Sequence, residues 1–310
     1  MSGQNKQPLV VDIKRHSLED GPGIRSVVFF KGCPASCMFC QNPETQNPET
    51  EIVFRAARCI GCASCGKACR HGAIDLAMVG RIHRDRCSRC GNCALACPSS
   101  ALEVVGKAYS VEALTEILML DYHYYRHSGG GVTLSGGECT MYPDFVGPLL
   151  KSLKQNSVHT AVQTSGDFDY ESFKGKIMPW VDTVYFDVKI ADPETHRQYI
   201  GRSNHLSFDN LRRLVSEPGV EVHPRIPLIP GITDSNENLS AIVELLADAG
   251  AVDVTMIPYN PMGIEMAAGL GHKVPPLPET FMKPADEKAI YEKLRSLVQR
   301  RRQRAVPLPQ

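Results

Sequence analysis

Arg25-Ser-Val-Val-Phe-Phe-Lys-Gly-Cys33-Pro-Ala-Ser-Cys37-Met-Phe-Cys40 is an apolar run that breaks into a loop carrying three cysteines. The run from Arg25 to Lys31 reads as a buried strand, and the loop presents Cys33, Cys37 and Cys40 at its C-terminal end. Similar strands recur downstream without the cysteines: Gly131 to Ser135, His159 to Thr164, Val181 to Lys189, Val220 to Leu228 and Val252 to Pro258. Helical stretches separate them. One begins at Val111 with Ser110 as N-cap, and others run from Phe145 to Lys154 and from Asn238 to Ala249. Strands spaced by about 10–20 helical residues mean a parallel sheet with crossover helices. About six such units, with polar residues gathered at strand C-terminal ends, favour an α/β fold in the form of a partial (β/α)6 TIM-like barrel over a doubly wound sheet. Residues 261–284 are rich in Gly, Pro and Met and read as a long loop. Ala285 to Arg302 reads as a final amphipathic helix whose Arg300-Arg-Arg302 end suits the helix dipole.

Composition narrows the function. The 310 residues carry 34 Lys+Arg against 34 Asp+Glu, a formal net charge of +0, which argues against nucleic acid or an anionic membrane as partner. No apolar run approaches the ~18 residues of a membrane span. The polar start from Met1 to Gln7 has no signal-peptide core, so a cytoplasmic location is expected. Twelve cysteines are anomalous for such a chain and argue for metal rather than disulfides.

Eleven of the twelve fall between Cys33 and Cys97. Cys59, Cys62, Cys65 and Cys69 have the same spacing as Cys87, Cys90, Cys93 and Cys97, and Cys59 to Cys87 is a step of 28 positions. The flanks repeat with them, Ala68-Cys-Arg-His-Gly-Ala-Ile-Asp75 against Ala96-Cys-Pro-Ser-Ser-Ala-Leu-Glu103. This is the bacterial ferredoxin run, in which three close cysteines hold one [4Fe–4S] cluster and the fourth ligates the other. The expected wiring joins Cys59, Cys62 and Cys65 to Cys97, and Cys87, Cys90 and Cys93 to Cys69. Zinc is the alternative, but zinc sites separate two Cys pairs by a longer gap. Residues 51–104 thus form an expected ferredoxin-like insert, with 1–50 and 105–310 as the core. Cys33, Cys37 and Cys40 differ in lacking a nearby fourth ligand. A cluster on three cysteines leaves one iron open for a small molecule; recruitment of distant Cys139 would close it. Cys139 reads as a buried thiol instead.

The three-cysteine group, with Phe39 before its last member, resembles the radical S-adenosylmethionine (SAM) superfamily. Further segments resemble one subfamily, the glycyl-radical enzyme activating enzymes: His16-Ser-Leu-Glu-Asp-Gly-Pro-Gly-Ile-Arg25, Cys40-Gln-Asn-Pro-Glu44, Gly129-Gly-Gly-Val-Thr-Leu-Ser-Gly-Gly-Glu138, Gln163-Thr-Ser-Gly166, Phe186-Asp-Val-Lys189, Arg225 with Ile229-Pro-Gly231, and Ile257-Pro-Tyr-Asn260. The insert matches the multi-cluster branch. The resemblance implies three [4Fe–4S] clusters, one of which binds SAM, an electron donor such as flavodoxin or ferredoxin, and a glycyl-radical enzyme as protein substrate. It places Phe39 and Gln41 beside the adenine and Arg225 near the SAM carboxylate. Thr164, Asp187, Lys189 and Asn260 are implied as further SAM contacts, with Asp20 and Arg25 in the loop that meets the glycyl peptide. Gly136 and Gly137 would admit the methionine moiety, with Glu138 accepting from its ammonium. A strand-end ion pair is the plainer reading of Asp187 and Lys189, and a turn that of Asp-Gly-Pro-Gly. Gln163 stands where relatives often carry a carboxylate, which counts against a carboxylate-held cation. Asn260 stands where many have histidine, and Arg70 where the ferredoxin repeat usually has proline.

Overall fold

The computed structural model describes residues 7–251, 253–274 and 276–305. The chain starts with β1 (Leu9–Ser17), antiparallel to β2 (Arg25–Phe30), and the three-cysteine loop follows. The eight-cysteine segment lies between β3 (Glu51–Phe54) and β4 (Leu102–Val105), which pair as a separate two-stranded sheet. That segment carries the short helices α1 (Ser64–Ala68) and α2 (Asn92–Leu95). β5 (Lys107–Ala108) returns to β1. Helices α3 (Val111–Met119) and α4 (Tyr122–Ser128) then lead to β6 (Gly131–Gly136), and α5 (Pro143–Gln155) leads to β7 (His159–Thr164). The turn α6 (Tyr170–Ser172) precedes β8 (Thr183–Asp187). α7 (Pro193–Ile200) and α8 (His205–Val215) precede β9 (Glu221–Pro227), and α9 (Asn236–Asp248) precedes β10 (Thr255–Ile257). The start of this last strand, expected at Val252, lies outside the described residues.

The large sheet has the order β10-β9-β8-β7-β6-β2-β1-β5. Its six strands from β2 to β10 pair in parallel, while β1 and β5 extend it antiparallel at one edge. This is the partial (β/α)6 barrel expected from the strand–helix alternation. Successive side chains of a strand point to opposite faces. One face supplies Val28, Phe30, Val132, Leu134, Val162, Val184, Phe186 and Ile226 to the main core beneath the helices. The other presents a polar ladder: Ser135, Gln163, Tyr185, Asp187 and Arg225. Strand register sets Gln163 beside Tyr185 and Asp187 beside Arg225. The core therefore lies between sheet and helices, leaving the concave face free for chemistry.

The stretch expected as a loop contains a helix, α10 (Met262–Leu270). Its glycines, which read as loop signals, serve close packing instead. A Cβ at Gly263 would stand 2.3 Å from the Cys40 carbonyl oxygen, and one at Gly269 would stand 2.7 Å from that of Phe54. The helix thus lies between the three-cysteine loop and β3. The final helix, α11 (Pro284–Ala305), is fixed through Arg301, which pairs with Glu244 at 2.6 Å and Asp248 at 3.0 Å on α9. Arg302 pairs with Asp253, and Arg300 donates to Ser296 Oγ at 3.1 Å, so each arginine of the basic end has its own partner.

A buried ion pair joins β2 to β3. Lys31, fully buried, donates to Glu51 Oε2 at 2.7 Å and to the Asn47 carbonyl at 2.9 Å; His272, just beyond α10, stands 3.4 Å from Glu51 Oε1. Burial pulls the Lys31 ammonium down from its ordinary value, with Glu51 opposing. Removing one partner from such a pair strands a buried charge at a cost of about 3–5 kcal/mol, whereas replacing both with apolar groups is often neutral. Glu51→Ala should therefore lower stability by about that amount in urea unfolding, and the double variant Lys31→Met, Glu51→Leu should recover most of the loss.

Candidate active site

The loop that carries Cys33, Cys37 and Cys40 has little regular structure, so its backbone groups bond to neighbouring elements. Gly32 N donates to Thr45 O at 2.7 Å, Cys33 N to Gln46 O at 3.0 Å, Ser36 N to Ile200 O at 2.9 Å and Met38 N to Tyr199 O at 2.8 Å. From β6, Gly137 N donates to Phe30 O at 2.9 Å and Glu138 N to Gly32 O at 2.8 Å. A Cβ at Gly136 would stand 2.1 Å from Phe30 N, and one at Gly137 would stand 2.2 Å from Gly32 O. The two glycines let the exit of β6 lie directly on the root of the cysteine loop.

This loop roofs a cavity of about 480 Å³ at the C-terminal ends of the parallel strands. That size lies within the usual range for small-molecule sites. All three cysteines line it, together with Phe39, Gln41, Gly136, Gly137 and Thr164. Asp187, Lys189, Arg225, Asn260 and Asp20 complete the set of expected residues on its wall. Burial, with help from Glu138 and Cys37, pushes the Cys33 thiol up to about 12, and burial raises Cys37 and Cys40 as well. Such thiols hold their protons until a metal displaces them.

Charge on the wall is organised around Asp187. Arg225 donates to Asp187 Oδ1 through Nε at 3.1 Å and Nη2 at 2.9 Å, while Lys189 Nζ stands 3.4 Å from Oδ2. Burial alone would raise the Asp187 carboxyl, but Arg225 and Lys189 outweigh it and hold it below its ordinary value. Two cations against one carboxylate leave a surplus positive charge facing the cavity. Asn260 Oδ1 accepts from Met262 N at 2.9 Å at the start of α10.

Two expected residues stand elsewhere. Glu138 is fully buried behind the wall, and both carboxylate oxygens are taken. Thr140 Oγ1, Thr164 Oγ1, Ser165 N and Ser165 Oγ donate to it at 2.7, 2.9, 2.9 and 2.8 Å. Burial pushes its carboxyl up, and those bonds hold part of the shift back. In this arrangement Glu138 fixes Thr164 and Ser165. Arg25 is fully buried at the opening of β2, too deep to meet a peptide. It donates to Thr133 Oγ1 at 2.7 Å, Val132 O at 2.7 Å and Pro22 O at 3.3 Å, bracing the Asp-Gly-Pro-Gly turn from below. Asp20, on that turn, does reach the wall, where Ser17 Oγ at 2.6 Å and Gln163 Nε2 at 2.9 Å donate to its carboxylate. The Gln163 carbonyl accepts from Ser135 Oγ at 2.6 Å, so this amide orders Asp20.

Sequence reasoning passed over Ser165 and Glu44 as wall residues. Glu44 has its carboxyl raised by burial and keeps Oε2 without a partner. Only its place in the Cys40-Gln-Asn-Pro-Glu44 segment pointed to it. Cys139 lies in the main core, its thiol near Leu134 O at 3.5 Å.

In the insert, Cys69, Cys87, Cys90 and Cys93 line one small cavity with Ile52, the grouping expected of a crossed ferredoxin pair. Ala73 N and Ala101 N donate to the Cys69 and Cys97 sulfurs at 3.3 and 3.2 Å, equivalent bonds in the two repeats. Main-chain donors to sulfur suit cysteines that carry thiolate charge, so the residues present fit iron–sulfur clusters.

Comparison with known proteins agrees with this geometry. The Radical SAM superfamily matches residues 84–254, more than half of the chain, a 4Fe-4S dicluster domain matches 58–101, and a 4Fe-4S single cluster domain matches 19–69. The isethionate sulfite-lyase activating enzyme of Nitratidesulfovibrio vulgaris is 36% identical, covering 86% of this chain and 89% of that protein. The trans-4-hydroxy-L-proline dehydratase activating enzyme of Clostridioides difficile is 39% identical over 83% of this chain and 85% of that protein. In fold, a radical SAM methyltransferase from Sphaerobacter thermophilus matches with a TM-score of 0.53 at 14% identity, covering 94% of this chain and 75% of that one. The chain belongs to the radical SAM superfamily, in its branch of glycyl-radical enzyme activating enzymes.

Removal of the Glu138 carboxylate leaves the Thr140, Thr164 and Ser165 donors unmatched, at about 1–3 kcal/mol for each buried group. Glu138→Ala should weaken SAM binding at least tenfold in equilibrium binding to the reconstituted protein, with iron content unchanged. Unchanged affinity would mean that the cavity wall does not depend on this residue.

Proposed function

We propose that Cys33, Cys37 and Cys40 hold the cluster that binds SAM and that the surrounding wall orients this cofactor for attack on a glycine of a partner enzyme. The observation that carries this reading is the convergence of three cysteines, a Gly-Gly strand exit and the Lys189–Asp187–Arg225 group on one cavity. Cluster and SAM together supply the chemistry, a one-electron cleavage to methionine and a 5′-deoxyadenosyl radical that takes a hydrogen atom from a backbone glycine. The protein's own part is positioning. The surplus positive charge of Lys189 and Arg225 suits a carboxylate. Glu138 acts on the ammonium through its field and through the wall it fixes, and Phe39 and Gln41 border the adenine. Asp20, held by Ser17 and Gln163, faces the incoming peptide.

Two further clusters belong in this proposal: one on Cys59, Cys62, Cys65 and Cys97, the other on Cys87, Cys90, Cys93 and Cys69. The insert of 51–104 then passes electrons from an external donor to the cluster at Cys33, Cys37 and Cys40 in the core of 1–50 and 105–310. A flavodoxin or ferredoxin would serve as donor in the cytoplasm. No helix among the described residues is long and apolar enough to span a bilayer.

Anaerobically reconstituted protein should hold about twelve iron atoms, four for each of three clusters. Replacement of Cys33, Cys37 and Cys40 together by Ala should leave about eight and abolish SAM cleavage; persistent cleavage would move the site elsewhere. With a cognate partner, the intact protein should produce a glycyl radical signal in electron paramagnetic resonance, and absence of that signal beside normal SAM cleavage would reassign the substrate. The relay is tested by Cys87→Ala with Cys90→Ala. Once the remaining clusters are counted, activity with a protein donor should collapse, while a small strong reductant should restore SAM cleavage. Equal activity with both reductants would overturn the relay.

A further inference from the structure

The equivalent bonds from Ala73 and Ala101 treat the two cysteine repeats alike, but one side chain does not. Arg81 Nη2 donates to Cys59 Sγ at 3.5 Å, and its Nη1 donates to Leu76 O at 2.9 Å. The guanidinium lies 5.2 Å from the centre of the Phe54 ring. Its third nitrogen, Nε, is buried and has no partner. The position 28 residues on is Tyr109, which packs on the main core. The guanidinium near Cys87 and Cys93 is that of Arg84, but its Nη1 and Nη2 donate to the Ile52 and Gly269 carbonyls, so among the described residues no side chain donates to Cys87 as Arg81 does to Cys59.

β3 orders the two cysteine sites in space. Glu51, its first residue, pairs with Lys31 beside the three-cysteine loop. Ile52 lines the cavity of Cys69, Cys87, Cys90 and Cys93. Phe54, at the far end, lies under Arg81 and therefore toward Cys59. A strand advances about 3.3 Å per residue, so the Cys59 site is the outer of the two.

We infer that Arg81 sets the reduction potential of the outer cluster, held by Cys59, Cys62, Cys65 and Cys97, above that of the inner one. This rests on the two-cluster reading of the insert. Iron–sulfur potentials follow net charge and hydrogen bonds to the sulfurs. Reduction adds one electron to the cluster, and the donor loses one. A fixed guanidinium bonded to a sulfur that would ligate this cluster would favour the reduced and more negative form. The outer cluster would then be reduced first, while the inner cluster stays at a lower potential.

The test is a potentiometric titration followed by electron paramagnetic resonance, on the full-length chain with Cys33, Cys37 and Cys40 replaced by Ala so that two couples remain. Fewer than eight iron atoms in this parent would break the two-cluster reading itself, independently of Arg81. With eight present, Arg81→Met should lower the higher couple by a tenfold or greater change in its reduced-to-oxidised ratio at fixed potential, about 59 mV for one electron. The lower couple should stay in place. Arg81→Lys, which keeps the charge without the fork, should fall between the two. A higher couple unmoved in Arg81→Met, or both couples shifted equally, would overturn the inference. If Arg81→Met loses four iron atoms, Arg81→Lys decides the matter alone: a couple lowered from the parent value supports the tuning role, and an unchanged one ends it.

Discussion

The cysteine loop after β2 must hold three sulfurs in fixed positions while forming almost no hydrogen bonds of its own. Buried main-chain groups need partners, so the loop borrows them from every element around it. The exit of β6, the segment at Thr45 and Gln46, and the end of α7 each supply backbone partners. Side chains complete the frame, with Tyr142 donating to Lys31 O at 2.6 Å and Gln46 donating to Cys37 O at 3.2 Å. The glycines at 136, 137 and 263 follow from the same constraint, because each lies where backbone meets backbone at a distance that no side chain allows. Positions of the sulfurs are therefore a property of the whole barrel mouth.

Much of this architecture was legible in the sequence. The six parallel strands announced themselves as short apolar runs between helical stretches, since a strand covered by helices needs continuous hydrophobic residues on one face. The cysteine spacing carried the likeness to 4Fe-4S domains, and strand alternation carried Asp187 and Lys189 to one face. Other features were hidden for identifiable reasons. Helix α10 was masked by Gly263 and Gly269, whose purpose is tertiary and leaves no mark in local propensity. β1 is a nine-residue strand of mixed polarity, and its antiparallel place at the sheet edge depends on pairing with β2. Arg25 and Glu138 sit in segments whose resemblance suggested contact with ligand or peptide. Their depth could be learned only from the packed structure, because a charged side chain in sequence gives no sign of whether it faces water or carbonyls.

The charged groups divide by depth into two kinds of work. Lys31 with Glu51, and Arg25 with its carbonyls, lie buried away from the cavity and hold elements together. Asp187, Lys189 and Arg225 are partly open to the cavity and remain able to answer a ligand's charge. Glu138 lies between these classes, buried like the first and adjacent to the wall like the second.

The large sheet ends at β10 on one side and at β5 on the other, and among the described residues these edges do not pair with each other. A closed barrel fixes its diameter through a continuous ring of hydrogen bonds, so widening it breaks bonds. Here the mouth can widen by a change of twist and coil alone, with every ladder intact. Access to the cavity from the open side then draws on the elasticity of the sheet rather than on its hydrogen bonds.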